Sequence, residues 1–167
     1  ELNKGNPIRS MKLSKEELAA IKDLQLVSGK PTLYVANVAE DGFEDNSLLQ
    51  EVEAIARDEG SEVVVISNKI ESELAGLADD EKVEFLEDMN LTEPGLNRLI
   101  RSGYKLLGLQ QYFTAGPKEV RAWTITKGMN APQAAGKIHS DFEKGFIRAE
   151  VVSFDDFVSA GGEHKAR

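Results

Sequence analysis

No cysteine occurs in the 167 residues, which excludes both a disulfide framework and thiolate metal sites of the zinc-finger type, and fits a reducing compartment. No apolar run approaches the roughly 18 to 20 residues that a membrane-spanning helix requires, and no basic stretch followed by an apolar core opens the chain. A cytoplasmic protein with no membrane partner is therefore expected. Internal repeats and low-complexity tracts are missing too. Several catalytic patterns are also absent. A phosphate-binding loop needs a glycine-rich turn ending in Gly-Lys-Ser/Thr, but Gly29-Lys30 runs into Pro31, and Gly136-Lys137 precedes Ile138 with no glycine at the required upstream spacing. His139, Ser140 and Asp141 are adjacent residues on a short element and do not converge as a nucleophilic triad, and no nucleophile elbow occurs. With two histidines in the whole chain, His139 and Asp141 lack the further ligands of a metal site. His139 is read as a structural residue.

What is present suits one or two small globular modules: 41% of residues are hydrophobic and 29% charged, enough to build cores. The net charge of −9 is unevenly spread. Residues 1–108 carry 12 Lys/Arg against 22 Asp/Glu, whereas residues 109–167 carry 8 against 7. An acidic first half repels phosphate backbones, so any RNA contact is expected in the second half, and DNA is not an expected partner. The chain begins with Glu1 rather than Met, which suggests a piece of something longer.

Hydrophobic spacing then orders the elements. Ser14-Lys15-Glu16-Glu17 has capping-box spacing and predicts a helix from about Ser14 to Leu26, stopped by Gly29-Lys30-Pro31. Thr32 to Ala36 reads as a strand buried on both faces of a parallel sheet. A polar loop over 37–46 follows, then a helical stripe of Leu48, Leu49, Val52, Ile55 and Ala56 ending at Gly60, and a second buried strand over Val63 to Ile66. This β-α-β crossover places two loops, 37–41 and 67–70, beyond the carboxyl ends of its strands, where open α/β sheets bind ligands. Residues 79–88 predict an acidic helix. Thr92 and Pro94 open another, with Leu96, Leu99, Ile100, Tyr104 and Leu107 on its apolar face, and a boundary falls near Gly108. Beyond it, Glu119 to Thr126 predicts a strand, Ala131 to His139 a short helix, Phe146 to Val152 a strand and Phe154 to Val158 a helical turn, together a compact α+β module.

One loop carries a family resemblance. Lys30-Pro31-Thr32-Leu33-Tyr34-Val35-Ala36-Asn37-Val38-Ala39-Glu40 strongly resembles the fifth sheet strand and base-recognition motif of YchF-type, Obg-like P-loop ATPases. Ordinary GTPases carry Asn-Lys-x-Asp there, the Asp carboxylate accepting hydrogen bonds from the guanine ring N–H and exocyclic amine. In this chain the lysine is replaced by Val38 and the carboxylate of Glu40 is one methylene longer, a variant associated with preference for ATP. The resemblance implies that Asn37 holds the adenine edge, that Val38 and Ala39 supply backbone and apolar contacts, and that Glu40 disfavours guanine. Ser67-Asn68-Lys69-Ile70-Glu71 sits where the second base-contacting loop lies, with Asn68 altering the usual Ser-Ala pattern. Leu91 to Ile100 is similar to the helix leaving the nucleotide-binding domain. Gln110 to Gly116, Glu119 to Ile125 and Ile138 to Val151 are similar to the TGS domain, a ubiquitin-like β-grasp named from threonyl-tRNA synthetases, GTPases and SpoT proteins.

The resemblance implies an α/β fold: a partial P-loop NTPase parallel sheet followed by an incomplete α+β β-grasp. Residues 1–29 would end a helical insertion, 30–108 would be the carboxy-terminal part of the nucleotide-binding domain, and 109–167 would be a TGS-like domain whose final strands lie past Arg167. It further implies ATP as ligand, with Asn37, Val38, Ala39, Glu40, Ser67 and Asn68 at the base. Mg²⁺ would be held by family residues upstream of residue 1, and the ribosome, particularly its large subunit, would be the partner. The 167-residue chain alone is expected to be inactive, since nothing in it stabilises charge on a transferring phosphoryl group. The other reading is a non-enzymatic module docking to ribosome, RNA or protein, with Lys118, Arg121, Lys127, Lys137, Lys144 and Arg148 as phosphate contacts and Trp123 or Phe146 stacking on a base.

Overall fold

The computed structural model describes residues 2–162 and 165. Two compact units are present, Glu1–Leu107 and Gly108–Arg167, and both are small α/β assemblies built on a two-stranded sheet. The end of the β-grasp pattern expected at Arg167 lies outside the described residues.

In the first unit, α1 (Lys15–Ile21) opens on the predicted box: Ser14 Oγ accepts from the Glu17 amide at 3.2 Å and Glu17 Oε2 from the Ser14 amide at 2.8 Å. The α-helix ends well before Leu26, passing through a 3₁₀ turn over Lys22–Leu24 to a left-handed Gln25. None of its residues is buried, and a helix this short has little to sustain it without a packed face. Strand β1 (Leu33–Asn37) pairs in parallel with β2 (Glu62–Ile66), from Leu33 opposite Glu62 to Asn37 opposite Ile66. The crossover helix α2 (Ser47–Glu59) stops at Gly60, whose φ of 69° supplies the left-handed cap. Leu49 and Ala56 of its stripe are buried, whereas Leu48 is 70% exposed. Burial of β1 on both faces does not hold either: Val35 is 45% exposed, because within this unit the sheet has two strands and its faces are only partly covered.

The expected loop over 67–70 is instead the start of a helix. Ser67 is the N-cap of α3 (Asn68–Leu74), and Ile70 and Leu74, one turn apart, bury themselves with Leu86 of α4 (Asp79–Asp88) in a cluster flanked by Phe43, Leu77, Phe85, Met89 and Leu91. Helix α5 (Gly95–Leu106) packs against both strands. It buries Gly95 and Ser102, while Leu96, Ile100 and Leu107 of the predicted apolar face stay at least half exposed. Along the outer side of β2, Arg98 Nη2 donates to the Val65 carbonyl at 2.9 Å. Glu62 there accepts from Ser102 Oγ at 3.1 Å and Lys105 Nζ at 3.0 Å, and Arg101 pairs with Glu93.

In the second unit, β3 (Leu109–Ala115) and β4 (Val120–Thr126) form an antiparallel hairpin, closed by the Gly116 amide donating to the Glu119 carbonyl at 3.0 Å. Helix α6 (Ala131–Gly136) starts at a box made by Asn130 and Gln133, and the Tyr112 hydroxyl donates to the Ala134 carbonyl at 2.9 Å. The expected helix over 131–139 is split, because His139 caps a separate α7 (Ser140–Lys144), its Nδ1 accepting from the Asp141 amide at 3.2 Å. The structural role expected for His139 is thus a cap. Residues 146–152 form no strand: Ile147 and Val151 are 91% and 88% exposed. Alternation orders a strand only against a neighbour that accepts its ladder, and this segment meets none among the described residues. Helix α8 (Phe154–Ala160), capped by Ser153 and by Gly161 at φ 75°, sets Phe154 against Phe113 with ring centroids 5.9 Å apart.

Candidate functional site

The parallel register brings the carboxyl ends of β1 and β2 side by side, so the segments following them meet. Asn37 is the last residue of β1, and the next amide, of Val38, donates to the Ile66 carbonyl at 2.8 Å. The side-chain Oδ1 of Asn37 then accepts from the Asn68 amide at 2.9 Å. That amide belongs to the first turn of α3, where backbone N–H groups lack helical partners, so the Asn37 carboxamide serves as a cap supplied from the neighbouring strand. With Oδ1 so engaged, the Nδ2 amino group is the donor that Asn37 offers to a ligand.

Glu40, three residues on, forms an ion pair with Lys69: Nζ to Oε2 is 2.8 Å, with the two side chains 66% and 37% exposed. The hydrogen bond that Lys69 donates to Glu40 holds the lysine above its ordinary range, and the charges of Glu40 and Glu73 add to it. Ser67 is 2% exposed, and its Oγ is buried with no hydrogen-bond partner. The loop between β1 and α2 is held from below. Phe43 reaches the Ile70 cluster, Asn46 Nδ2 donates to the Gly42 carbonyl at 3.1 Å, and Asn46 Oδ1 accepts from the Leu49 amide at 3.1 Å. Gly42 sits tight under the motif; a Cβ there would stand 3.2 Å from both the Ala39 amide nitrogen and the Val38 Cβ.

A second joint lies behind the site. Pro94, the N-cap of α5, offers no side-chain bond. Glu71 of α3 does this work instead, Oε1 accepting from the Gly95 amide at 2.7 Å and Oε2 from the Leu96 amide at 3.2 Å. A carboxylate at a helix amino terminus also complements the helix dipole.

The structure therefore brings Asn37, Val38, Ala39, Glu40, Ser67 and Asn68 together at one end of one sheet. Sequence reasoning did not assign Lys69, Glu71, Gly42 or Asn46. The Ile70–Leu74 spacing was the available sign of a helix starting at 68. Among the described residues no three His, Cys, Asp or Glu side chains are arranged to hold a metal ion. In the second unit, Lys118, Arg121, Lys127, Lys137, Lys144 and Arg148 are all exposed. The Arg121 guanidinium lies 4.1 Å from the Trp123 ring centroid, and the indole N–H donates to Thr114 Oγ1 at 3.0 Å. One face of the tryptophan thus already carries a cation. No helix is long and apolar enough to cross a membrane among the described residues.

Residues 109–167 match the family described as YchF-GTPase_C, protein of unknown function (DUF933). A protein of Pasteurella multocida called ribosome-binding ATPase YchF is 58% identical over 166 residues, 99% of this chain and 46% of its own length. The protein of the same name from Escherichia coli O157:H7 is 56% identical over 167 residues, again 46% of its length, and that of Bacillus subtilis is 50% identical over 159 residues. Among solved structures, the Schizosaccharomyces pombe YchF GTPase matches with a TM-score of 0.82 and 34% identity, covering 98% of this chain and 44% of the other. The chain spans less than half the length of these relatives, and over nearly all of its own length it is similar to proteins called YchF.

Proposed function

We propose that this chain supplies the base-recognition end of an ATP site in a cytoplasmic, ribosome-associated P-loop ATPase, with ATP preferred over GTP. In this reading residues 30–108 are the carboxy-terminal part of the nucleotide-binding domain, and 109–167 are a TGS-like β-grasp module that docks to the large ribosomal subunit. The carrying observation is the Asn37 Oδ1 to Asn68 amide contact of 2.9 Å, which joins the two base-contacting segments and turns the Asn37 amino group into the donor for an adenine ring nitrogen. Ser67 Oγ, buried without a partner, is a second polar atom in want of one, as expected where a ligand or a bound water completes a site. The names of the relatives support ATP hydrolysis and ribosome binding, although one solved relative is called a GTPase.

The ATP phosphates and Mg²⁺ would be held by residues outside these 167. The test compares ADP and GDP affinity in the intact protein with and without Asn37→Ala: weakening of ADP binding by about tenfold, the worth of one good hydrogen bond to a buried ligand, is expected, and an unchanged affinity for both nucleotides refutes the reading. The 167-residue chain alone is expected to show no ATP turnover above a contaminant control. For the second unit, co-sedimentation with ribosomes should weaken steeply as salt rises; no binding even at low salt refutes the docking role.

A further inference from the structure

The Glu40–Lys69 pair is the one contact in this site that joins opposite charges across the two segments, and the family resemblance assigns no role to its lysine. Guanine recognition by a carboxylate at this place requires its oxygens as acceptors for two N–H groups of the base. Adenine presents no such pair of donors to the same carboxylate. An ammonium at 2.8 Å from Oε2 competes directly for that acceptor, while costing adenine nothing it would use. Lys69 reaches Glu40 from the first turn of α3, a helix whose Ile70 is 1% exposed and whose start is fixed by Asn37. Its backbone is therefore anchored beside the carboxylate, although its side chain lies largely in solvent.

We infer that Lys69 is a specificity-determining positioning residue: by occupying the Glu40 carboxylate it disfavours guanine nucleotides and so sharpens the preference for adenine ones. This rests on the base-recognition reading given above. The effect is bounded by what an exposed ion pair is worth, on the order of a two- to fivefold change in relative affinity.

The experiment measures Kd for ADP and for GDP by calorimetry in the intact protein carrying Lys69→Met, Lys69→Arg, Glu40→Gln, and Lys69→Met with Glu40→Gln. The ratio of the two Kd values should move toward GDP by about two- to fivefold in Lys69→Met and return in Lys69→Arg. In the Glu40→Gln background, Lys69→Met should leave the ratio where Glu40→Gln alone puts it, because the charge it masks has gone. An unchanged ratio in Lys69→Met, or the same shift with and without Glu40, overturns the inference. Asn37→Ala, measured alongside, separates the two levels. If it weakens nucleotide binding while Lys69→Met leaves the ratio unchanged, only the role of Lys69 falls; if it alters neither affinity, the base-recognition reading falls and the inference with it.

Discussion

Removing the Glu71 carboxylate should loosen the start of α5, and by an amount the geometry bounds. Pro94 brings no capping side chain, so the Gly95 and Leu96 amides depend on Glu71 oxygens at 2.7 and 3.2 Å. Losing an N-cap costs about 0.5–2 kcal/mol, and losing a negative charge at a helix amino terminus adds about 0.3–1 kcal/mol. Glu71→Ala should therefore destabilise this end by roughly 1–3 kcal/mol, and Glu71→Gln, which keeps one acceptor oxygen, by about half as much. Hydrogen exchange read residue by residue is the assay, because it isolates a local opening that a global unfolding curve would blur in a chain of two units. Protection of Gly95 and Leu96 should fall by about 5- to 150-fold in Glu71→Ala. Gly95 supplies an internal control. A Cβ there would stand 2.9 Å from both Glu71 Oε1 and Ile66 Cγ2, so Gly95→Ala should cost less in the Glu71→Ala background, where one of the two clashes is gone. Unaltered exchange at both amides, or strictly additive costs, would refute the trans-capping account.

Three other outcomes are expected. Ile70→Ala empties the centre of a cluster in which Ile70 is 1% exposed and Leu74 4%, and should lower stability by about 2–5 kcal/mol in urea titration followed by circular dichroism; a loss below 1 kcal/mol would show that the site can collapse around the void. Glu59 accepts from Arg9 Nη2 at 2.7 Å and from the Tyr34 hydroxyl at 3.0 Å, and the Arg9 guanidinium holds its carboxyl below the ordinary value of 4.5. A depressed carboxylate contributes stability above that ordinary value and loses it as pH falls through the folded one, so Glu59→Gln should differ from the parent at pH 7 and converge with it in acid; a gap that persists at low pH contradicts the pairing. Thr114→Val removes the acceptor of the Trp123 indole and should cost about 0.5–1.5 kcal/mol by tryptophan fluorescence in urea, with a near-zero effect showing that water replaces the hydroxyl.

The elements legible in the sequence were those whose signal is local. Ser14 and Glu17 cap each other, Gly60 ends α2 in a left-handed turn, and Asp79–Asp88 is helical as its pattern required. Failures came where a partner decides. Residues 146–152 have the composition of a strand, yet pairing makes strands and this segment pairs with nothing described. On α5 the apolar spacing predicts an inward face, but close approach to β2 selects Gly95 and Ser102, leaving Leu96 and Ile100 outside. In the site, Asn37 and Glu40 were legible as a motif. Lys69 and Glu71 were not, because their roles arise from the parallel register that sets β2 beside β1, and no spacing within either segment encodes it.

That register also governs where the sheet of the first unit can grow. Successive carbonyls of a strand point to opposite sides, so with Ile66 turned toward Val38, the Val65 oxygen faces away from β1. Arg98 takes it at 2.9 Å, and Glu62 with Lys105, and Glu93 with Arg101, set fixed charges along the same flank. An incoming strand would have to displace a guanidinium and bury those charges, a known means of keeping sheet edges from aggregating. The β2 side is a finished border, and any further strand can join only beside β1.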